Sequence, residues 1–396
     1  MFSGGMRHHK IVEPFLPQNA EWIDITVPLD NVFEQYIHSP ILLEEQIGAL
    51  IVFASGDPLF FGFANTIRRK MPEAEVKVYP TFNSLQMLAH RLVIPYHDMR
   101  VVSLTGRPWP AFDQVLIERA AMIGVLTDRE HTPSAIAQRM IDYGYINYNM
   151  YVGERLGNSA LEKVTTLSLE EAAHREFSMP NCIILSSECS NSTNTNRPFG
   201  IPDASFTLLD GREKMITKMP IRLLTLQALD LPQKHVLWDI GFCTGSISIE
   251  ARLQFPHLHI EAFEIRRECE TIIHENARRF GAPGINVHIG DFRDECFDSI
   301  STDGASPDAV FIGGHGGHLK EIMSKVLTVL TPGGVIVFNS VNSPVVDQMT
   351  ERKSSRQQWD EACTELCLVQ APPLRIQLND YNPIEILKGI KVNKNK

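Results

Sequence analysis

Residues 186–200, SSECSNSTNTNRPFG, interrupt the chain near its middle and constrain its architecture more than any other stretch. The segment is built from Ser, Asn and Thr and is closed by Pro and Gly. It carries too little apolar surface to offset the entropy of ordering it, so it reads as a linker. The chain has 396 residues, and a single hydrophobic core usually stops growing below ~300 residues. The expected organisation is a first domain over 1–185, a linker over 186–198 and a second domain over 199–396.

Beyond the linker, apolar runs alternate with amphipathic stretches. HVLWDIG, HIEAFEI, NVHIGD, DAVFIGG and GVIVFNSV read as strands, and Ser246–Gln254 and Glu268–Phe280 as helices between them. This rhythm predicts a doubly wound α/β sheet of Rossmann type, whose ligands sit at the carboxyl ends of the strands. The first half has a similar alternation. ALIVFAS (49–55) and EVKVYP (75–80) read as strands, Gly62–Met71 and Ser84–Leu92 as helices, and VVSLTG, IGVLTD and YNMYVGE repeat the pattern. A parallel, helix-covered sheet is expected there too.

Composition narrows the function classes. The formal net charge is −10 and no sustained Lys/Arg run occurs, which disfavours a nucleic-acid partner. The seven cysteines form no C-x-x-C pair, and Cys363 and Cys367 have no matching His/Cys pair, so reduced thiols and no metal site are expected. No apolar run reaches the ~18 residues of a membrane span, and the opening MFSGGMRHHKIVEP lacks the apolar core of a signal peptide. A cytoplasmic enzyme is the expectation.

VLWDIGFCTGS places Asp239, Gly241 and Gly245 between an apolar strand and a helix. Glycine there lets a ligand approach the backbone, although a tight strand-to-helix turn alone would use the same residues. Glu264 ends the next strand, 23 residues after Gly241, where an acidic group accepts ribose hydroxyls; taken alone it could be a surface carboxylate. Asp291 ends the third strand within HIGDF, and VLTPGGVIVFN adds a Pro-Gly-Gly turn before a further strand. The G-x-x-x-G spacing differs from the G-x-G-x-x-G that cradles a pyrophosphate. Adenosine without phosphate fits better, and S-adenosyl-L-methionine is such a ligand.

FGIPDASFTLLDGREKMITKMPIR, WDIGFCTGSISIEA and PDAVFIGGHGG occur in that order. In them the chain resembles the decarboxylating C15-methyltransferases of corrin biosynthesis, class I S-adenosylmethionine-dependent enzymes. The resemblance implies that Thr217, Asp239, Gly241, Phe242, Cys243, Thr244, Gly245, Glu264, Asp291 and Phe292 bind the cofactor. It further implies that Gly313, Gly314 and Gly317 shape the substrate side. A substrate with many carboxylates calls for local cations, and Arg212, Lys214, Lys218 and Arg222 surround the T-K element, although a solvated charged face would carry the same residues.

The first half carries Gly4-Gly5-Met6-Arg7-His8, ASGDPLFFG, Pro80–Gln86, Ser103–Arg107, Leu126–Asp128 and Val152–Gly157. In these it resembles the tetrapyrrole methylase family (class III methyltransferases), its C5-methylating precorrin branch in particular. Gly56, Asp57, Pro58, Gly62 and Ser84 would contact the cofactor there, with Arg7 on the substrate side. Thr105 stands where that branch has His, so a role for the His does not carry over. The family pattern also sets a strand and a G-x-G-P-G loop ahead of G-G-x-R-H, which the resemblance implies this domain lacks. Together the two resemblances imply a precorrin C5,15-methyltransferase. Such an enzyme methylates precorrin-6B, or its cobalt counterpart, at two meso carbons, removes carbon dioxide from the ring-C acetate and gives precorrin-8 in cobalamin biosynthesis. The expected partners are the small-molecule tetrapyrrole and further copies of the chain, and no catalytic acid or base stands out. The alternative is a methyltransferase acting on another macrocycle or on RNA, with the first half a non-catalytic assembly module.

Overall fold

The computed structural model describes residues 1–39, 49–187, 199–295, 306–341, 353–378 and 382–392. It contains three sheets. In the first, β1 (Phe2–Gly4) lies between β2 (Trp22–Asp24) and β3 (Ile51–Val52), all parallel. Helix α1 (Met6–Val12) follows β1, and α2 (Leu29–Ile37) buries Val32, Phe33 and Tyr36 against this small sheet. Two more helices follow, α3 (Phe63–Lys70) and α4 (Ser84–Leu92). Asn83 caps α4: its side chain accepts from Gln86 N while Gln86 accepts from Asn83 N, satisfying amides that the first turn leaves open.

The expected strand at 75–80 does not form. Val76 and Val78 alternate with Glu75 and Lys77, but the segment is almost wholly exposed and pairs with nothing. Strand propensity measures fit to a half-buried surface, and there is no such surface here.

The second sheet runs β4 (Arg100–Ser103), β5 (Met122–Leu126), β8 (Asn181–Ser187), β6 (Tyr148–Glu154), β7 (Lys163–Leu167) in spatial order. Only β4 and β5 are parallel; β8 is antiparallel to β5 and β6, and β6 to β7. This corrects the expectation of a wholly parallel sheet. The turn after β6 passes through Arg155 and Gly157 at positive φ, which returns the chain beside its own strand as a hairpin. Helices α5 (Pro110–Ile117), α6 (Pro133–Asp142) and α7 (Leu169–Ala173) help to enclose one core of this sheet through Phe112, Ile136, Met140 and Leu169. β8 reaches Ser187, so the expected linker begins inside a strand, and 188–198 lie outside the described residues.

Helix α8 (Met219–Ala228) opens the third unit. Its strands are β9 (Val236–Ile240), β10 (His259–Glu264), β11 (Ile285–Ile289), β12 (Ala309–Ile312) and β13 (Val335–Val341), as the alternation predicts. They are joined by α9 (Ser246–Gln254), α10 (Glu268–Phe280) and α11 (Leu319–Val329). Helix α12 (Ser355–Glu365), β14 (Leu368–Gln370), β15 (Leu374–Ile376) and β16 (Ile384–Lys391) complete it. The order is β11-β10-β9-β12-β13-β16-β14, with β15 also on β16; β9 to β13 are parallel and β16 runs antiparallel to β13. β9 is buried along its whole length because helices cover both faces. This is the class I methyltransferase arrangement, and the chain order reverses between β9 and β12. No helix among the described residues is long and apolar enough to cross a membrane.

The second and third units touch. Tyr145 Oη donates to Gly281 O at 2.7 Å, and Tyr143 packs with Phe280 and Ala282. Beside this contact Asp113, fully buried on α5, accepts two bonds of 2.7 Å from Arg139 on α6. Removing one partner of such a pair leaves an uncompensated charge. Arg139→Ala is therefore expected to lower the unfolding free energy by ~3 kcal/mol, read from urea denaturation. A change under ~1 kcal/mol would contradict this and mean that Asp113 takes a new partner.

Candidate functional site

The site forms where β9 and β12 diverge. Their following loops touch: a Cβ on Gly241 would lie 2.6 Å from Gly314 N and 2.9 Å from Gly314 Cα, and one on Gly313 would lie 3.0 Å from Gly241 O. Gly241 and Gly245 also have φ of 79° and 73°, a region a side chain rarely adopts. Both facts make glycine a requirement of the scaffold. The loop amides are spent internally. Gly241 N donates to Phe263 O at 2.7 Å, Gly245 N to Phe242 O at 2.9 Å and Cys243 N to Glu264 Oε2 at 3.0 Å. Few donors remain for a phosphate, as the spacing of the loop foretold.

Two cavities open there. The larger, about 670 Å³, is lined by Gly241, Cys243, Glu264, Asp291, Gly313 and Gly314, with Phe292 among its walls. The smaller, about 380 Å³, is lined by Thr217, Lys218, Asn339 and an apolar wall that includes Phe311, Ile376 and Leu378. Lys214, Met215 and Gly313 border both. The larger cavity carries two carboxylates on neighbouring strand ends, which suits a nucleoside. The smaller sets the wall of Phe311, Ile376 and Leu378 against Lys214 and Lys218, which suits a flat anionic ring.

Each carboxylate is held by an arginine two residues on. Glu264 is 3% exposed. It accepts from Ile265 N (3.0 Å), from Arg266 N (3.2 Å) and from Arg266 Nε (3.0 Å) and Nη2 (2.8 Å). Asp291 accepts from Arg293 N at 2.9 Å and from Arg293 Nη2 at 2.6 Å. Those hydrogen bonds from Arg293 bring the Asp291 carboxyl down to about 2.

Several expected residues serve the scaffold instead. Arg222 does not face a substrate: it is fully buried, pairs with Glu250 and Asp203, and donates to Thr217 O and Ile201 O. It holds the 200–217 segment over the sheet edge. Gly245 lines neither cavity; its missing Cβ would lie 2.4 Å from Ile273 Cγ1, so it seats the loop on α10. Phe242 packs with Leu209 and Ile273, and Gly317 also lies outside both linings. Asp239 and Thr244 are buried beneath the loop, where Asp239 Oδ1 and Thr244 Oγ1 find no partner. Ser248 Oγ donates to Asp239 Oδ2 at 2.6 Å. Burial pushes the Asp239 carboxyl up to about 7, against the bonds from Ser248. Lys214, expected among the cations around the T-K element, borders both cavities. Met215, Arg266 and His315 also line the site and were not singled out. Met215 could have been suspected from its place beside Lys214, whereas nothing in sequence pointed to the other two.

In the first half the motifs converge on one loop cluster. His8 Nε2 lies 2.9 Å from Ser55 Oγ, joining the Gly4–His8 and Ala54–Gly62 segments. Gly56, at φ 63°, sits against Asn83 at the start of α4. Asp57 Oδ1 accepts from Leu59 N at 2.8 Å, and a Cβ on Gly62 would lie 2.3 Å from Pro58 O, so this loop closes on itself. Ser84 bonds the Cys182 thiol rather than the loop, and Arg7 is exposed. Asp128 accepts from Gly106 N (2.8 Å) and His131 N (2.7 Å), tying Ser103–Arg107 to Leu126–Asp128. Burial would raise its carboxyl, but these backbone bonds overcome that and hold it at about 2.

Comparison with known proteins finds two families along the chain. Residues 4–173 match the family of tetrapyrrole (corrin/porphyrin) methylases, and residues 210–360 match the precorrin methyltransferase domain. A Sinorhizobium protein named precorrin-6Y C(5,15)-methyltransferase [decarboxylating] is 29% identical over 341 residues, covering 86% of this chain and 78% of that protein. A Mycobacterium tuberculosis protein of the same name is 28% identical over 293 residues, covering 74% of this chain and 70% of its own. The cobalt-precorrin-6B C(15)-methyltransferase (decarboxylating) of Salmonella typhimurium is 36% identical over 133 residues, covering 34% of this chain and 66% of its own.

The Asp239 carboxyl is raised in the folded chain, so the folded state binds the extra proton. That contribution to stability is complete below about pH 4 and is lost as pH rises through about 7. Asp239→Asn is expected to flatten the decline in unfolding free energy between those limits, measured by urea melts at several pH values. An unchanged slope would place the titration elsewhere.

Proposed function

We propose that this chain, whose halves match the tetrapyrrole methylases and the precorrin methyltransferase domain, is a precorrin C5,15-methyltransferase: it methylates a precorrin at C5 and C15 from S-adenosylmethionine and removes carbon dioxide from the ring-C acetate. The observation that carries this reading is the junction of the two cavities at Lys214, Met215 and Gly313, which sets a nucleoside-sized space edge to edge with one that has lysines and an apolar wall.

The residues present fit S-adenosylmethionine. A Cβ at Gly241 or Gly313 would close the space between the loops, two carboxylates stand on neighbouring strand ends, and the loop amides are not presented to a phosphate. Glu264 would take the ribose and Asp291 the adenine edge, with Cys243 and Phe292 in the walls. When bound, the cofactor supplies an electrophilic sulfonium methyl group. A meso carbon, bonded to two pyrrole α-carbons and conjugated through them with ring nitrogen, is an enamine-like nucleophile, so the protein's work is alignment and exclusion of water. Phe311, Ile376 and Leu378 would lie against the macrocycle face, and Lys214 and Lys218 would meet its carboxylates. Methylation leaves the ring with a positive charge. Loss of carbon dioxide breaks the bond from the acetate methylene to the carboxylate carbon, and that electron pair neutralises the ring. The exocyclic methylene so formed takes up one proton as the macrocycle gives one up, so no oxidant or net proton is needed.

In the first half, Gly56, Asp57, Pro58 and Gly62 would hold a second cofactor molecule for the C5 reaction. Mass spectrometry of products from a precorrin-6B feed tests the whole reading: a gain of two methyl groups with loss of one carbon dioxide is expected. A product that keeps the acetate would refute the decarboxylase assignment. Glu264→Ala is expected to weaken S-adenosylhomocysteine binding by ~1–3 kcal/mol, the usual cost of an unpaired polar group, read by calorimetry. Lys214→Ala should raise KM for the tetrapyrrole severalfold and leave that affinity unchanged; an unaltered KM would remove Lys214 from the substrate site.

A further inference from the structure

The Glu264 carboxylate has no room for a ribose while Arg266 is in place. Its two oxygens offer about four acceptor sites. Five donor contacts already reach them: Cys243 N, Ile265 N, and the backbone N, Nε and Nη2 of Arg266. A ribose hydroxyl can enter only where the guanidinium now sits. The two partners are unequal, because the Glu264 side chain is 2% exposed and that of Arg266 is 35% exposed. The carboxylate is fixed by backbone amides from two loops, whereas the arginine has solvent to swing into. Arg266 Nη1 also lies 3.9 Å from Met215 Sδ, and Met215 borders both cavities. The guanidinium thus stands between the nucleoside acceptor and the entrance to the smaller cavity.

We propose that Arg266 is a cofactor-gated substrate-binding residue: it occupies Glu264 until the cofactor's ribose takes that carboxylate, and is then released to hold a carboxylate of the tetrapyrrole. The proposal rests on the assignment of the larger cavity to S-adenosylmethionine. In the free protein the positive charge of Arg266 is spent on Glu264. Once the ribose hydroxyls replace it, the same charge is available at the mouth of the smaller cavity. Cofactor binding therefore raises affinity for a polyanionic macrocycle, and by thermodynamic reciprocity the macrocycle raises affinity for the cofactor by the same factor. Lys214, Arg293, Asp291, His315 and His318 line the larger cavity with Arg266, and of these only Lys214 also lines the smaller. Arg293 is paired with Asp291 and Glu321, which leaves Lys214 as the companion cation at the junction.

The test is calorimetry on the full chain with S-adenosylhomocysteine and with uroporphyrin, a polycarboxylate macrocycle, alone and together. In the unaltered protein each ligand should tighten binding of the other severalfold. Arg266→Ala should bind S-adenosylhomocysteine about two- to fivefold more tightly, the size of effect expected from removing a partly exposed ion pair. In that variant the mutual tightening should fall to none. Arg266→Lys, which keeps the charge but cannot bridge both oxygens, should fall between the two, and its thermal melt together with that of the alanine variant verifies folding. Unchanged or weaker S-adenosylhomocysteine binding by folded Arg266→Ala would overturn the proposal, as would absence of mutual tightening in the unaltered protein. Failure of the unaltered protein to bind S-adenosylhomocysteine at all would instead refute the cofactor assignment beneath it.

Discussion

The contact between the loops after β9 and β12 governs the rest of the third unit. Gly241 and Gly314 approach so closely that a methyl group on Gly241 would overlap backbone atoms of the other loop. Gly313, next to this contact, borders both cavities. Glu264 leaves β10 beside the first loop and is drawn to it by Cys243 N, while Gly290 N reaches back to Glu264 O. Three strand ends are thereby tied together by backbone amides, one of them through the Glu264 carboxylate.

Much of this was legible because the strands are buried on both faces. β9, β12 and the first half of β13 read as near-continuous apolar runs, and α9 and α10 have the bounds that the alternation predicted. The missing parts share a physical cause: they depend on partners remote in sequence. Arg222 carries a charge that reads as surface, and only the fold brings Glu250 and Asp203 to it. Gly245 reads as a ligand-approach glycine, yet the atom it spares belongs to Ile273. The direction of β6 and β8 is invisible in their own residues, since propensity does not tell a strand which neighbour it will meet. The positions of Glu264 and Asp291 were readable, but not the arginines that hold them.

Those two carboxylate–arginine pairs give the site its character. Each places an acceptor on one strand end and neutralises it from the following turn, so the larger cavity is lined by opposite charges already matched. A polar ligand with no net negative charge of its own can exchange into such a lining one bond for another. A pyrophosphate would meet two carboxylates and loop amides already engaged. Selectivity between these ligand classes thus resides in the hydrogen bonds already made by the lining as much as in its shape.

Helix α10 begins four residues after Glu264 and ends at the carbonyl that Tyr145 holds. A helix of 13 residues spans about 20 Å. The second unit therefore grips one tip of a stiff rod whose other tip rises beside the acceptor carboxylate. Joining two methyl-transfer units in one polypeptide consequently does more than keep them together in solution. It gives the first half a mechanical handle on the alignment of the second.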